Sequence, residues 1–106
     1  MLDETLVVCT SEHGRTPKIN SAAGGGRDHW SQVYCNVLAG GGIARGRVVG
    51  ASDRIAGEVA DLPLSPKDVL ATMYHLLGID HHQQLPDGSG RSYPLVEGRV
   101  ITEAIS

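Results

Sequence analysis

The chain has 106 residues, 41% of them hydrophobic and 20% charged, with a formal net charge of -3 at pH 7. An acidic balance without a basic cluster argues against nucleic-acid binding. No apolar run approaches the roughly 18 residues that span a bilayer, and no signal peptide opens the sequence. The length suits a single domain, 1–106, and neither nucleic acid nor a membrane is an expected partner.

The first predicted element is a strand at residues 5–9, a short apolar run rich in β-branched side chains. It leads directly into a polar turn that carries Glu12, His13, Gly14 and Arg15. Buried parallel strands read as continuous apolar runs, and ligand chemistry in α/β sheets collects just past their carboxyl ends. We therefore expect a functional site at this turn.

Residues 10–31 show no periodicity and are predicted to form a loop of about twenty residues, a length that is usually functional or disordered. Two carboxylate–imidazole pairs lie in it, Glu12 with His13 and Asp28 with His29. Nitrogen and oxygen ligands of this kind suit zinc, manganese or iron. The alternative is that both are ordinary polar dipeptides whose histidines form local hydrogen bonds.

Two arginines, Arg15 and Arg27, flank these pairs. A guanidinium can bind an anionic group by bidentate contact. It can equally neutralise a neighbouring carboxylate, here Glu12 or Asp28. The sequence leaves both roles open.

A second strand is predicted at residues 33–39, closed by the glycine triplet 40–42, with a third strand or hairpin return at 46–50 and an irregular edge segment at 53–60. Cys9 and Cys35 both lie inside apolar runs. Because free cysteine is among the most buried residue types, we predict two buried thiols on neighbouring strands rather than a disulfide.

The clearest helix signal begins at Ser65, where serine is the N-cap, Pro66 takes the first helical position and Asp68 completes a capping box. Gly78 is the expected C′ residue. The sequence predicts a helix at about 66–77, and the apolar residues with helical spacing are Val69, Leu70, Met73, Leu76 and Leu77. His75, and His81 and His82 beyond the helix, are interpreted as capping or solvent-exposed residues.

These elements predict an α/β fold with one clear helix and a few short strands. So few elements cannot cover both faces of a mostly parallel sheet. Either the sheet is open and protected by self-association, or the rest of the domain lies outside this chain. An exposed sheet edge predicts a homo-oligomer, and a small self-associating α/β binding module without catalysis is the alternative to an enzyme-derived function.

The motifs also occur in a distinctive order that covers nearly all 106 residues. In that order the chain resembles the C-terminal portion of domain-of-unknown-function family 1501, a sulfatase-like family of the alkaline phosphatase superfamily. The motifs that carry the resemblance are Ser11-Glu12-His13-Gly14-Arg15-Thr16-Pro17, Gly26-Arg27-Asp28-His29-Trp30, Leu38-Ala39-Gly40-Gly41-Gly42-Ile43, Val49-Gly50-Ala51-Ser52-Asp53, the helix segment 65–79 and Pro94-Leu95-Val96-Glu97-Gly98.

The resemblance implies a partial three-layer α/β sandwich that is the C-terminal fragment of a larger sulfatase- or phosphatase-like domain. It implies a divalent metal, with zinc, manganese or calcium as the candidate ions. The ligands carried over are Glu12, His13 and His29. Arg15 and Arg27 would bind the anion, an anionic small molecule, and the remaining acid, Asp28, would orient the neighbouring ligand without binding the ion.

Two features qualify what the resemblance implies. Glu12 stands where the superfamily usually has aspartate, and relatives often replace the histidine of the turn with an aromatic residue, so that His13 here favours metal binding. The nucleophile of the superfamily lies near the start of the domain and has no counterpart in this chain. The implied reaction of the whole protein, hydrolysis of a sulfate or phosphate ester, is therefore not expected of this chain alone. Full-length relatives are expected to be exported.

Overall fold

A computed structural model describes all 106 residues of the chain. It contains eight short strands and one α-helix, with single 3-10 turns at Leu2–Glu4 and Thr102–Ala104. In chain order the elements are β1 (Val7–Cys9), β2 (Gly14–Arg15), β3 (His29–Trp30), β4 (Val37–Ala39), β5 (Ala51–Ser52), β6 (Val59–Asp61), α1 (Pro66–Leu76), β7 (Gln84–Pro86) and β8 (Ser92–Pro94).

The strands form four separate two-stranded ladders, β1–β4, β2–β3, β5–β6 and β7–β8, and all four are antiparallel. The mixed α/β class is confirmed, but the expected mostly parallel sheet is wrong. A parallel pair needs a long crossover connection, usually a helix, and the one α-helix of the chain lies between the antiparallel hairpins β5–β6 and β7–β8. These ladders do not by themselves build three layers.

The strand boundaries differ from the predicted ones. The first strand is confirmed at Val7–Cys9, and the second is shortened to Val37–Ala39. No strand forms at 46–50, because Gly46 and Gly50 have positive φ values of 65° and 75°, outside the extended region. The strand starts after Gly50 instead, and the predicted edge segment 53–60 contains the turn of the β5–β6 hairpin.

The helix is confirmed to within one residue of its predicted end. The backbone N–H of Ser65 donates to Asp68 Oδ2 at 2.8 Å, which satisfies an N-terminal donor as the capping box requires. Leu77 is the C-cap, and Gly78 follows with a positive φ of 76°. No helix in the chain has the length and apolar character needed to cross a membrane.

The small core lies where the C-terminal tail docks on α1. Ala71 and Thr72 of the helix are fully buried, and Ile101 of the tail is buried beside them. The Thr72 hydroxyl donates to the Asp68 carbonyl at 2.7 Å and accepts the Ile101 N–H at 2.9 Å. A second link runs from the Arg99 N–H to Asp68 Oδ1 at 2.9 Å.

Asp68 therefore connects the helix start to the tail. Its partial burial tends to raise the pKa of the carboxyl group. Hydrogen bonds outweigh that effect and hold the pKa of Asp68 below its usual value. They come from the backbone N–H groups of Arg99 and Ser65 and from the Ser65 hydroxyl, and the positive charge of Arg99 adds to them. The ionised carboxylate is thus the form that stabilises this junction.

Most of the chain is exposed. Its accessible surface is 7697 Å², whereas a compact chain of this mass exposes about 5,700 Å². The radius of gyration is 17.0 Å, against about 13 Å for a compact domain of this length. A surplus of about 2,000 Å² is comparable with a protein–protein interface. The fold therefore lacks packing partners over much of its surface.

The two cysteines are part of this exposed surface. Both Cys9 and Cys35 are exposed free thiols, so the prediction that they are buried is wrong. In the β1–β4 ladder Cys9 pairs with Val37, and the side chains of alternate residues share one face. That face, with Val7 at 51% and Val37 at 63% exposure, is covered by nothing in the chain.

Candidate functional site

The two polar clusters of the predicted loop meet in the β2–β3 ladder. Gly14 pairs with Trp30 and Arg15 pairs with His29. The pairing continues beyond the ladder, since the Thr16 N–H donates to the Asp28 carbonyl at 3.0 Å. Residues separated by about fifteen positions in the sequence are thus held side by side by backbone hydrogen bonds.

The imidazole rings of His13 and His29 stack on each other. Their centroids are 3.7 Å apart and their planes differ by 19°. Nδ1 of His13 donates to the Gly14 carbonyl at 2.9 Å, and its Nε2 lies 3.6 Å from Oε1 of Glu12. His13 is half-buried, whereas His29 is exposed. The stack is therefore fixed from the His13 side and open to solvent on the other.

Gly14 allows this approach. A Cβ atom there would overlap the backbone carbonyl oxygen of Val33, with the Val33 carbonyl carbon 3.3 Å away and the Trp30 oxygen at 3.4 Å. A carbonyl of the main chain cannot rotate aside as a side chain could. The third segment, at Val33, thus packs against the ladder only because residue 14 has no side chain.

Trp30 anchors the ladder to the rest of the fold. Its Nε1–H donates to the Gly57 carbonyl at 2.7 Å, and the N–H of the buried Gly57 donates to Asp53 Oδ1 at 2.7 Å. Trp30, Asp53 and Gly57 also line an open groove of about 860 Å³ beside the segment 16–21. The site therefore lies at the edge of a hollow large enough for a small organic ligand.

The two arginines have no carboxylate partner. Arg15 Nη1 donates to the carbonyl of Arg27 at 3.2 Å, which brings both residues to one end of the ladder. Neither forms an ion pair with Glu12 or Asp28, so the alternative in which they only neutralise those acids is wrong. Both are exposed and keep most of their donors for a ligand.

The two acids diverge. Asp28 accepts a hydrogen bond from the Asn20 side chain at 3.2 Å and lines the groove beside Trp30. Glu12 is 87% exposed and lines a second, smaller hollow formed with Val69 of α1. The carboxylates therefore do not meet at the histidine stack.

Metal ligation by Glu12, His13 and His29 requires three donor atoms directed at one point. Imidazole nitrogens bind zinc in the plane of the ring, at about 2.0–2.1 Å. Stacked rings 3.7 Å apart and 19° from parallel have no common point that close to both. The donor types suit a divalent metal, but the donors do not converge in this arrangement. Ligation by these residues stays a prediction, and it requires one ring to leave the stack.

A second histidine cluster was not expected from the sequence. Asp80, His81 and His82 each offer one donor atom, and these atoms all lie within 4.8 Å of one another. His81 is buried, although it was interpreted as a capping or exposed residue. The signal in the sequence was an acid followed by two histidines just after the helix-ending Gly78.

Taken together, the fold and the site define a small mixed α/β protein in which a two-stranded ladder holds Arg15 beside His29, and the His29 ring stacks on the ring of His13. The family described as "Protein of unknown function (DUF1501)" matches residues 1–105, and the chain belongs to this family. The predicted membership in domain-of-unknown-function family 1501 is therefore confirmed. No curated protein and no solved structure matches the chain.

Proposed function

We propose that the chain is part of a sulfatase- or alkaline phosphatase-like domain and supplies the half-site that binds the anionic group of its substrate. The observation that supports this proposal is that the β2–β3 ladder sets Arg15 beside His29 and the Arg15 guanidinium donates to the Arg27 carbonyl, with neither arginine paired to an acid. The substrate class is a sulfate or phosphate ester, and the reaction of the assembled domain is its hydrolysis.

The charge arrangement supports anion binding. A tetrahedral oxyanion needs several N–H donors from one side, and guanidinium forks provide them in bidentate geometry. His29 is exposed beside Arg15 across the ladder and adds an imidazole donor. Neither arginine is paired with Glu12, whose Oε1 lies 3.6 Å from Nε2 of His13.

The hydroxyl groups near the histidine stack do not supply a nucleophile. The Ser11 hydroxyl, the closest along the chain to His13, donates to the His13 carbonyl at 2.9 Å and does not contact the ring. The Thr10 hydroxyl donates to the Asn36 side chain. Neither is activated by a base as a nucleophile must be. We therefore expect the nucleophile to lie on polypeptide that covers the exposed ladders and completes the three-layer sandwich.

Phosphate titration tests the half-site. We expect inorganic phosphate and sulfate to shift the ¹H–¹⁵N NMR signals of residues 14–16 and 27–30, and Arg15→Gln to weaken binding about tenfold, the loss expected for one charge-assisted hydrogen bond. Arg15→Lys keeps the charge but not the fork, so it should recover only part of the affinity.

Arg91→Gln is the matched control, because Arg91 is an exposed arginine on the β7–β8 hairpin away from the ladder. It should leave the phosphate affinity unchanged. Equal loss in Arg15→Gln and Arg91→Gln would mean that phosphate binds only by general charge attraction and would contradict the half-site. The same spectra, recorded with zinc, manganese or calcium, report whether the His13 and His29 ring signals respond to a metal.

The second candidate function is a self-associating α/β binding module. The observation that favours it is the uncovered apolar face of the β1–β4 ladder formed by Val7, Cys9 and Val37. An exposed face and free strand edges promote pairing with a second copy.

Light scattering after size exclusion tests the module. We expect a dimer that Val37→Lys converts to a monomer, since a charge cannot be buried unpaired in an apolar interface. Val48→Lys is the control, because Val48 is 91% exposed but lies outside every ladder. A monomeric wild-type chain, or a dimer that survives Val37→Lys, would exclude association through this face.

A further inference from the structure

The structure assigns a second ligand site to the turn after α1: we infer that Asp80, His81 and His82 bind a divalent transition-metal ion. One donor atom from each residue lies within 4.8 Å of the other two. Bonds of about 2.0–2.2 Å from a tetrahedral ion bring such donors slightly closer together, so small side-chain rotations complete the site. This inference is independent of the anion half-site proposed for the β2–β3 ladder.

The second observation is the state of His81. The residue is only 6% exposed, and its Nε2 is a buried side-chain nitrogen without a hydrogen-bond partner. A buried polar atom that lacks a partner is destabilising, and native structures rarely retain one without a reason. A coordinated ion next to this ring supplies a reason, because imidazole nitrogen is a common ligand of zinc and related ions.

The turn is held in place before any ion binds. Asp80 Oδ1 accepts the His82 backbone N–H at 2.9 Å and the His82 Nδ1–H at 3.1 Å. The His81 carbonyl accepts the Val96 N–H at 3.3 Å, which ties the turn to the tail. An ion that replaces the proton shared by Asp80 and His82 would bind both residues with little rearrangement.

The ring geometry differs from that of the other histidine pair. The rings of His81 and His82 have centroids 4.0 Å apart and planes tilted by 36°. These rings are more tilted than the near-parallel stack of His13 and His29, and Asp80, directly before His81, adds a carboxylate oxygen within 4.8 Å of a ring nitrogen of each histidine. The helix C-terminus, which ends at Leu76 only four residues before Asp80, carries the negative end of the helix dipole and favours a cation.

The donor set selects the class of ion. Two imidazoles and one carboxylate suit zinc and the later first-row divalent ions, whereas calcium and magnesium prefer oxygen ligands throughout. Asp80 and His82 are exposed, so the remaining coordination position is open to water. The expected role is structural: the ion would fasten the 94–96 segment to the end of α1 through His81.

Zinc titration of the chelator-treated full chain by calorimetry tests the site. We expect one equivalent of Zn²⁺ to bind, and His82→Ala to weaken binding roughly 10- to 100-fold, since loss of a partner that merely orients a ligand already costs that much. His82 is exposed, so this variant retains the fold, which circular dichroism verifies. In NMR spectra the ring protons of His81 and His82 should move together.

Two controls separate this site from others. His75→Ala removes an exposed histidine on α1 and should leave zinc affinity unchanged. The double variant His13→Ala/His29→Ala should also keep it, which distinguishes this site from the metal predicted at the β2–β3 ladder. Zinc affinity that is unchanged in His82→Ala, or lost in His13→Ala/His29→Ala, would overturn the assignment, as would the absence of zinc binding by the wild-type chain.

Discussion

Gly14→Ala is expected to abolish phosphate binding at the β2–β3 ladder. The added Cβ would overlap the main-chain carbonyl of Val33, and neither segment can move aside without breaking the pairing of Gly14 with Trp30. Overpacking of this kind costs about 1–3 kcal/mol, and a ladder of two residue pairs has few hydrogen bonds to offset it. We expect the His13–His29 stack to separate, and ring-proton nuclear Overhauser effects between them measure that directly.

Gly88→Ala is the matched control. A Cβ at Gly88 would meet no atom within 4 Å, and the residue lies in the β7–β8 turn far along the chain. This variant should bind phosphate as the wild type does and keep the ring contacts. If Gly14→Ala keeps both the histidine contacts and the phosphate-induced shifts, then the close approach at Val33 does not determine the site.

The features that the sequence predicted correctly depend on neighbouring residues. Ser65, Pro66 and Asp68 specify the helix start through contacts within one turn, and Gly78 specifies its end. Such signals are local, so they act whatever surrounds the helix. The pairs Glu12-His13 and Asp28-His29 were also visible as local motifs, and their role as a functional site stays a prediction.

The features that the sequence did not predict depend on contacts between residues far apart in the chain. Burial of Cys9 was inferred from an apolar run, but burial requires an element on the other side of the strand, and β1 pairs with β4 alone. The β2–β3 pairing was also absent from the pattern, because strands of two residues have no measurable alternation. Whether His81 is buried depends on Val96 and the tail, fifteen residues away.

The roles of Arg15 and Arg27 also depend on contacts that the sequence does not show. Spacing alone could not decide whether Arg15 and Arg27 neutralise acids or bind a ligand, since both roles use the same side chain. The ladder register sets the Arg27 carbonyl within reach of Arg15 Nη1 and leaves Asp28 bonded to Asn20, so neither arginine is paired with an acid, and anion binding by them stays a prediction. A site is therefore set by register as much as by composition.

Asp68→Ala is expected to destabilise the chain by about 2 kcal/mol, from the loss of the capping box and of the bond to the tail. One carboxylate serves both, through Ser65 at the helix start and Arg99 in the tail. The melting temperature of a chain of this size falls about 4–8 °C for each kcal/mol, which thermal denaturation resolves easily. Asp61→Ala, at an exposed carboxylate that accepts no side-chain hydrogen bond, should change it little.

The pH dependence identifies the charge as the cause. The pKa of Asp68 is lower in the folded chain than its ordinary value of 3.8, so the unfolded state binds more protons over the acidic range. Stability from Asp68 is therefore fully present above that ordinary value and lost as the pH falls through the lower, folded-state pKa. Asp68→Asn cannot ionise, so its deficit against the wild type should be complete at pH 7 and smaller at a pH below 3.8. A deficit that is equal at both pH values would assign the effect to packing at the junction and not to the carboxylate charge.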